Sequence, residues 1–141
     1  MESRIIKFRG KNIHTGEWLY GDYHRVGKTH YITKPGDFLR EYAPIEFIVD
    51  KKTVGQFTGL YDANNKPIYE GDIVKFHFMT SRSYTTELFP TKKFFGEITV
   101  NKYKQWVVLS DGLEVHIENA VKYGKIIGNI HDNPSLISDK Q

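Results

Sequence analysis

Asp72-Ile73-Val74-Lys75-Phe76-His77-Phe78 decides the fold. Val74, Phe76 and Phe78 fall on one face and Lys75 and His77 on the other, the period-two pattern of a strand with one buried side. Working outward, similar short runs recur at 4–9, 18–25, 46–49, 55–60, 96–100, 106–110 and 125–130, mostly bounded by Gly, Asn, Asp or Pro. Nine Tyr, nine Phe and two Trp sit among Val, Ile and Thr, a composition suited to pleated sheets. The reading is an all-β protein with barrel or sandwich spacing.

The turns support it. Leu60 to Ile68 holds Asp62, Asn64, Asn65 and Pro67, residues that bond locally, tolerate left-handed backbone or fix φ, so it is expected to be a hairpin tip. Glu70-Gly71-Asp72 reads as a second tight turn. Ser110-Asp111-Gly112 reads as a third, joining 106–110 to a partner strand that starts at Leu113. Residues 113–123 match both periods, because Leu113, Val115 and Ile117 alternate while Leu113, Ile117, Ala120 and Val121 have helical spacing. The expectation is a strand to Ile117 followed by one helical turn. Asn133 to Ile137 can start a short C-terminal helical turn, with Ser138 to Gln141 fraying. Met79 to Lys93 is expected to be a long loop.

The 141 residues contain no Cys, so disulfide frameworks, thiolate nucleophiles and Cys-based metal sites are excluded. No stretch approaches the ~20 apolar residues of a membrane helix, and the start of the chain lacks the apolar core of a signal peptide. A soluble, cytoplasmic protein without membrane contact is expected. Net charge is +3, too little to imply a nucleic-acid partner by itself. The chain changes character near Val54. Expected units are a small N-terminal β subdomain over 1–54, a barrel over 55–134 and a tail over 135–141.

Candidate chemistry is sparse. Gly27-Lys28-Thr29 resembles the end of a phosphate-binding loop, but Asp22 stands where its first Gly belongs and the residues after it cannot form the required helix. His24 and His30 would lie too far apart on one strand to share an ion unless Gly27 turns the chain back. His77 and His116 alternate with apolar neighbours and read as surface residues. Asp62, Glu70 and Asp72 read as turn residues, since acid–base work needs a cleft. No Ser nucleophile elbow, zinc-protease helix or dinucleotide fingerprint is present. The chain therefore reads as non-enzymatic, with no cofactor and no metal. Lys92, Lys93, Lys102, Lys104 and Trp106, with the neighbouring aromatics, form a candidate nucleic-acid-binding segment, because small barrels bind single strands by pairing Lys with stacking rings. The opposing reading places Phe95 and Trp106 in the core and leaves Lys to guard edge strands.

Three segments carry a family resemblance: Ile5-Ile6-Lys7-Phe8-Arg9-Gly10 with Trp18; Thr53 to Asp62, continuing through Asn65 to Val74 and containing Tyr69-Glu70-Gly71-Asp72-Ile73-Val74; and Ile126 to Pro134. In order and spacing the chain resembles the YopX family of phage and prophage proteins over nearly its whole length. The resemblance implies an SH3-like β-barrel in the C-terminal part and a home in a phage or an integrated prophage. It implies no reaction. The expectation is a phage accessory protein acting as a β-rich binding or assembly module, a homo-oligomer or the partner of a host or phage protein, with nucleic acid as the alternative ligand.

Overall fold

The computed structural model describes residues 5–36, 44–79 and 91–138. They are mainly β, in two antiparallel sheets, and the chain divides into units Met1–Gly59 and Leu60–Gln141. The division falls inside a strand, a few residues beyond the Val54 boundary inferred from composition.

In the first unit, β1 (Phe8–Lys11), β2 (Trp18–Val26), β3 (Thr29–Thr33), β4 (Ile48–Val49) and the start of β5 (Gly55–Tyr61) run in the spatial order β4-β3-β2-β1-β5. Among its described residues Ile32, Val49 and Phe57 are the buried apolar ones. Gly27, at φ 61°, opens the two-residue loop between Val26 and Thr29, where a left-handed backbone suits the twist of the flanking strands. Gly21 is demanded by packing, since a Cβ there would lie 1.9 Å from the carbonyl oxygen of Thr33. Of the 46–49 run, expected to be a strand, Glu46 and Phe47 belong to a 3-10 turn over Ile45–Phe47, and Ile48 and Val49 form β4. β3 was not among the expected strands.

The second unit starts with Leu60 and Tyr61, the end of β5. The expected tip follows: the Asp62 N–H donates to the Lys66 carbonyl at 3.0 Å, and Asn65 takes φ 63°. Then come β6 (Pro67–Tyr69), β7 (Asp72–Met79), β8 (Thr91–Val100), β9 (Trp106–Ser110), β10 (Leu113–His116), helix α1 (Ile117–Val121), β11 (Lys125–Asn129) and helix α2 (Ser135–Ser138). Five of these strands pair in the order β10-β9-β8-β7-β11. Asp111 and Gly112 both have positive φ, as a two-residue hairpin loop requires. The ambiguous 113–123 stretch uses both of its periods in turn, alternating through β10 and becoming helical from Ile117.

The alternation in β7 is realised over 74–77, whereas Ile73 is buried although it lies on the face of Lys75 and His77. Val74 and Phe76 are buried with Ile68, Ile98, Val108, Val115, Ile117, Ala120 and Val121 in one cluster. Helix α1 packs against β7, β9 and β10 and supplies the last three of these residues. Among the described residues this sheet is open, with β10 and β11 as its edges, so the strand pairing does not close the barrel expected over 55–134. Of the long loop expected over 79–93, Met79 instead belongs to β7 and Thr91 to Lys93 belong to β8. Residues 80–90 lie outside the described residues.

Candidate functional site

The register of the five-stranded sheet sorts the basic and aromatic residues between its two faces. Phe94 pairs with Phe76, and their rings stack at 5.6 Å on the core side. Trp106 also packs against the core cluster, so of the predicted segment its indole is committed to structure. Lys92 stands opposite Phe78 in the ladder. Lys93 is exposed on the other, outward face, with its Nζ 5.9 Å from the centre of the Phe95 ring.

Lys102 and Lys104 do not join Lys93. They lie in the β8–β9 turn, where Asn101 Oδ1 accepts the N–H groups of Tyr103 and Gln105 at 2.9 and 3.0 Å. At about 3.3 Å per residue, β8 puts roughly 25 Å between Lys93 and that turn. The Lys102 ammonium instead caps the exposed Tyr103 ring at 5.2 Å. The segment that looks continuous in sequence is therefore split between a core face, an outer face and a distant turn.

What the outer face does assemble comes from strands far apart in sequence. Lys125 pairs with Lys75, and Lys75 with Phe95, which places two ammonium groups and a ring in one row across β11, β7 and β8. His77 and Lys93 form the adjacent row. Lys93, His77 and Lys125 are exposed; Lys75 and Phe95 are half-buried, as expected for long side chains lying along a sheet. Alternation already assigned Lys75 and His77 to the solvent face, but no sequence signal could supply the pairing to Lys125.

On the other side of the Lys75 row lie Ile73, which is fully buried, Glu97, and the exposed Leu109 and Glu114. Glu97 is half-buried, and burial first, then the nearby Glu70 carboxylate, raises its carboxyl above the ordinary range. The outer face is thus cationic at one end and acidic beside it. The other two turn carboxylates are used as structure. Asp72 is buried and accepts the Tyr69 N–H at 2.8 Å, while Asp62 accepts three backbone N–H groups.

The histidines divide similarly. Gly27 does turn the chain back, but Arg25 pairs with His30 and His24 with Tyr31, so His24 and His30 occupy opposite faces and cannot share an ion. His77 and His116 are exposed. Among the described residues no group of three or more His, Asp or Glu is placed to hold a metal, and no helix is long and apolar enough to cross a membrane.

A family model described as YopX protein matches residues 7–138. The chain is also similar to a solved structure, the crystal structure of protein EF1440 from Enterococcus faecalis, at 22% identity and a TM-score of 0.52, covering 96% of this chain and 99% of that one. At that identity the likeness speaks to the fold alone. No curated protein matches.

Proposed function

The chain belongs to the YopX family, and from that premise we propose that it is a non-enzymatic binding or assembly module of a phage or prophage, acting in the bacterial cytoplasm. Its docking surface is the outer face of the five-stranded sheet. The observation that carries the reading is the row Lys125, Lys75, Phe95 with Lys93 and His77 beside it, an ordered cationic and aromatic surface built on rigid strands. An SH3-like arrangement of the second unit is part of the same reading. It is supported by neighbouring antiparallel strands with α1 packed beside them. Self-association is supported by the edge strand β10, where Leu113 and the adjacent Leu109 are exposed.

The same row favours single-stranded nucleic acid as the specific alternative ligand, with the lysines on phosphates and Phe95 beneath a base. Three lysines on phosphate give a slope of log affinity against log salt of about −2. Size exclusion with light scattering, run with and without short DNA and RNA oligonucleotides, tests both readings. Co-elution that weakens with salt supports the nucleic-acid ligand, and its absence removes that ligand. A monomer that also binds no oligonucleotide removes self-assembly.

A further inference from the structure

The two edges of the five-stranded sheet are finished differently. On β11 the free edge is occupied: the Ile126 N–H donates to Asp62 Oδ2 at 2.8 Å, and the Gly124 carbonyl accepts the Ala63 N–H at 2.9 Å. The tip after β5 thus covers that edge, one of the ways a sheet is kept from pairing with other chains. β10 has no such cover among the described residues. Leu113, Glu114 and His116 are all exposed there, Leu113 by 56%.

Parity decides which backbone groups the β10 edge offers. The two-residue loop of Asp111 and Gly112 makes Ser110 and Leu113 the closing pair, so Leu113 and Val115 turn their N–H and C=O groups towards β9 while Glu114 and His116 turn theirs outward. His116 also precedes α1, and its carbonyl takes the first helical bond. The open edge therefore offers the N–H and carbonyl of Glu114 and the N–H of His116. Alternation puts the side chains of the same two residues on the outer face, beside Leu109 and Val107 of β9.

Building on the reading that the chain self-assembles, we infer that β10 pairs antiparallel with β10 of a second copy about a two-fold axis at Val115, each Glu114 lying opposite His116 of the other copy. Two-fold registers that keep outward groups facing one another are centred on Glu114, Val115 or His116. The first sets two carboxylates side by side, and the last sets two imidazoles together and runs each strand past its end. Only the register centred on Val115 sets a carboxylate against an imidazole that can donate to it, and symmetry does so twice. There the His116 N–H of each copy meets the Glu114 carbonyl of the other, the two Val115 side chains oppose each other, and each Leu113 lies diagonal to Val115 of the other copy. Head-to-tail pairing of β10 with β11 is blocked by the tip, so the association closes as a dimer. With only four residues in the strand it is weak and concentration-dependent.

Sedimentation velocity of the full chain, from low micromolar to near-millimolar concentration, reads the monomer–dimer equilibrium. Glu114→Lys and His116→Glu are each expected to weaken it roughly tenfold, since symmetry counts each change twice. The double substitution, Glu114→Lys with His116→Glu, is expected to recover most of the loss, because opposite charges face each other again only in this register. Both positions are exposed, and an unchanged melting temperature in dilute solution verifies folding. Amide hydrogen exchange of the unaltered protein is the second arm: the Glu114 and His116 amides gain protection with concentration, while those of Leu113 and Val115, already bonded to β9, do not change. A monomer at every concentration overturns this inference together with self-assembly. A dimer in which the double substitution is no better than the single ones, or in which the Glu114 and His116 amides stay unprotected, overturns the β10 pairing and leaves self-assembly to another surface.

Discussion

Asp62 and Ile126 are joined by a hydrogen bond of 2.8 Å, in which the Ile126 N–H donates to Asp62 Oδ2. The other oxygen, Oδ1, accepts the N–H groups of Asn64 at 2.8 Å and Lys66 at 2.9 Å. One buried carboxylate thus organises the tip after β5 and ties it to the start of β11, an attachment reinforced by the Ala63 N–H on the Gly124 carbonyl at 2.9 Å. Asp62→Ala strips all three donors of their acceptor. A loss of about 2–4 kcal/mol is expected from urea unfolding monitored by fluorescence, since charged acceptors contribute more than neutral ones and their stranded partners are costly. A change below about 0.5 kcal/mol would mean the tip is held by its backbone bonds alone.

Gly96 shows how a residue can mislead a sequence reading and then explain the packing. A glycine within a strand pattern invites a boundary, and the run beginning at Gly96 was expected to start there. Instead it lies within β8, where a Cβ would come 2.4 Å from Val108 Cγ1 and 2.9 Å from the Leu109 carbonyl oxygen. The strand continues back through Phe95 to Thr91. Gly96→Ala is expected to cost about 1–3 kcal/mol by overpacking. Chemical denaturation reads it, and a neutral result would show that β9 can move away freely.

Strand identity was legible where alternation was long and bounded, as in β7, or where a bounded run was apolar, as in β9, and illegible where the run was polar. β3 is the clear miss. Thr29 to Thr33 contains only one aliphatic residue, and it becomes a strand because Gly27 folds it onto β2, a tertiary decision. The candidate surface was less legible still. Residues 92–106 look like one basic and aromatic patch in linear order, yet a period of two sends Lys93 and Phe95 outward while Phe94 and Trp106 pack inward. Lys75 and Lys125 meet only through the β7–β11 register. Local pattern assigns a face; only pairing assigns neighbours.

The Glu97 and Glu70 pair gives stability an unusual pH dependence. Because burial and then Glu70 raise the Glu97 carboxyl in the folded state, the folded protein holds a proton there that the unfolded chain has already released. In that interval stability falls as pH rises, and the full penalty is present above the folded value. Glu97→Gln is therefore expected to raise the melting temperature at pH 7 and to flatten the profile just above the ordinary carboxylate range. At pH 4 the two proteins should differ little. A variant that melts lower at pH 7 would show instead that ionised Glu97 is held by a favourable partner.

Thr33 ends β3 opposite Asp22 and is 3% exposed, and its Oγ1 is buried with no hydrogen-bond partner among the described residues. A hydroxyl in that position costs its lost hydration. Val has nearly the same shape and the same preference for strands. Thr33→Val is expected to stabilise the first unit by about 1 kcal/mol, measured as a shift of the denaturation midpoint. A loss of similar size would mean that the hydroxyl is solvated in solution.

Lys104 holds φ 63° in the β8–β9 turn, where its N–H donates to the Asn101 carbonyl at 3.0 Å. Left-handed backbone is unfavourable for a long side chain and easier for Asn, so Lys104→Asn is expected to stabilise the turn by about 0.5–1 kcal/mol. The same variant separates the two candidate nucleic-acid surfaces. If phosphates are held by Lys75, Lys93 and Lys125, loss of Lys104 leaves the salt slope at about −2 while affinity changes little, whereas removing any one of those three lowers its magnitude by about 0.7. Oligonucleotide titrations across a range of salt concentrations distinguish the cases. A slope that drops equally for Lys104 would move the binding surface to the turn.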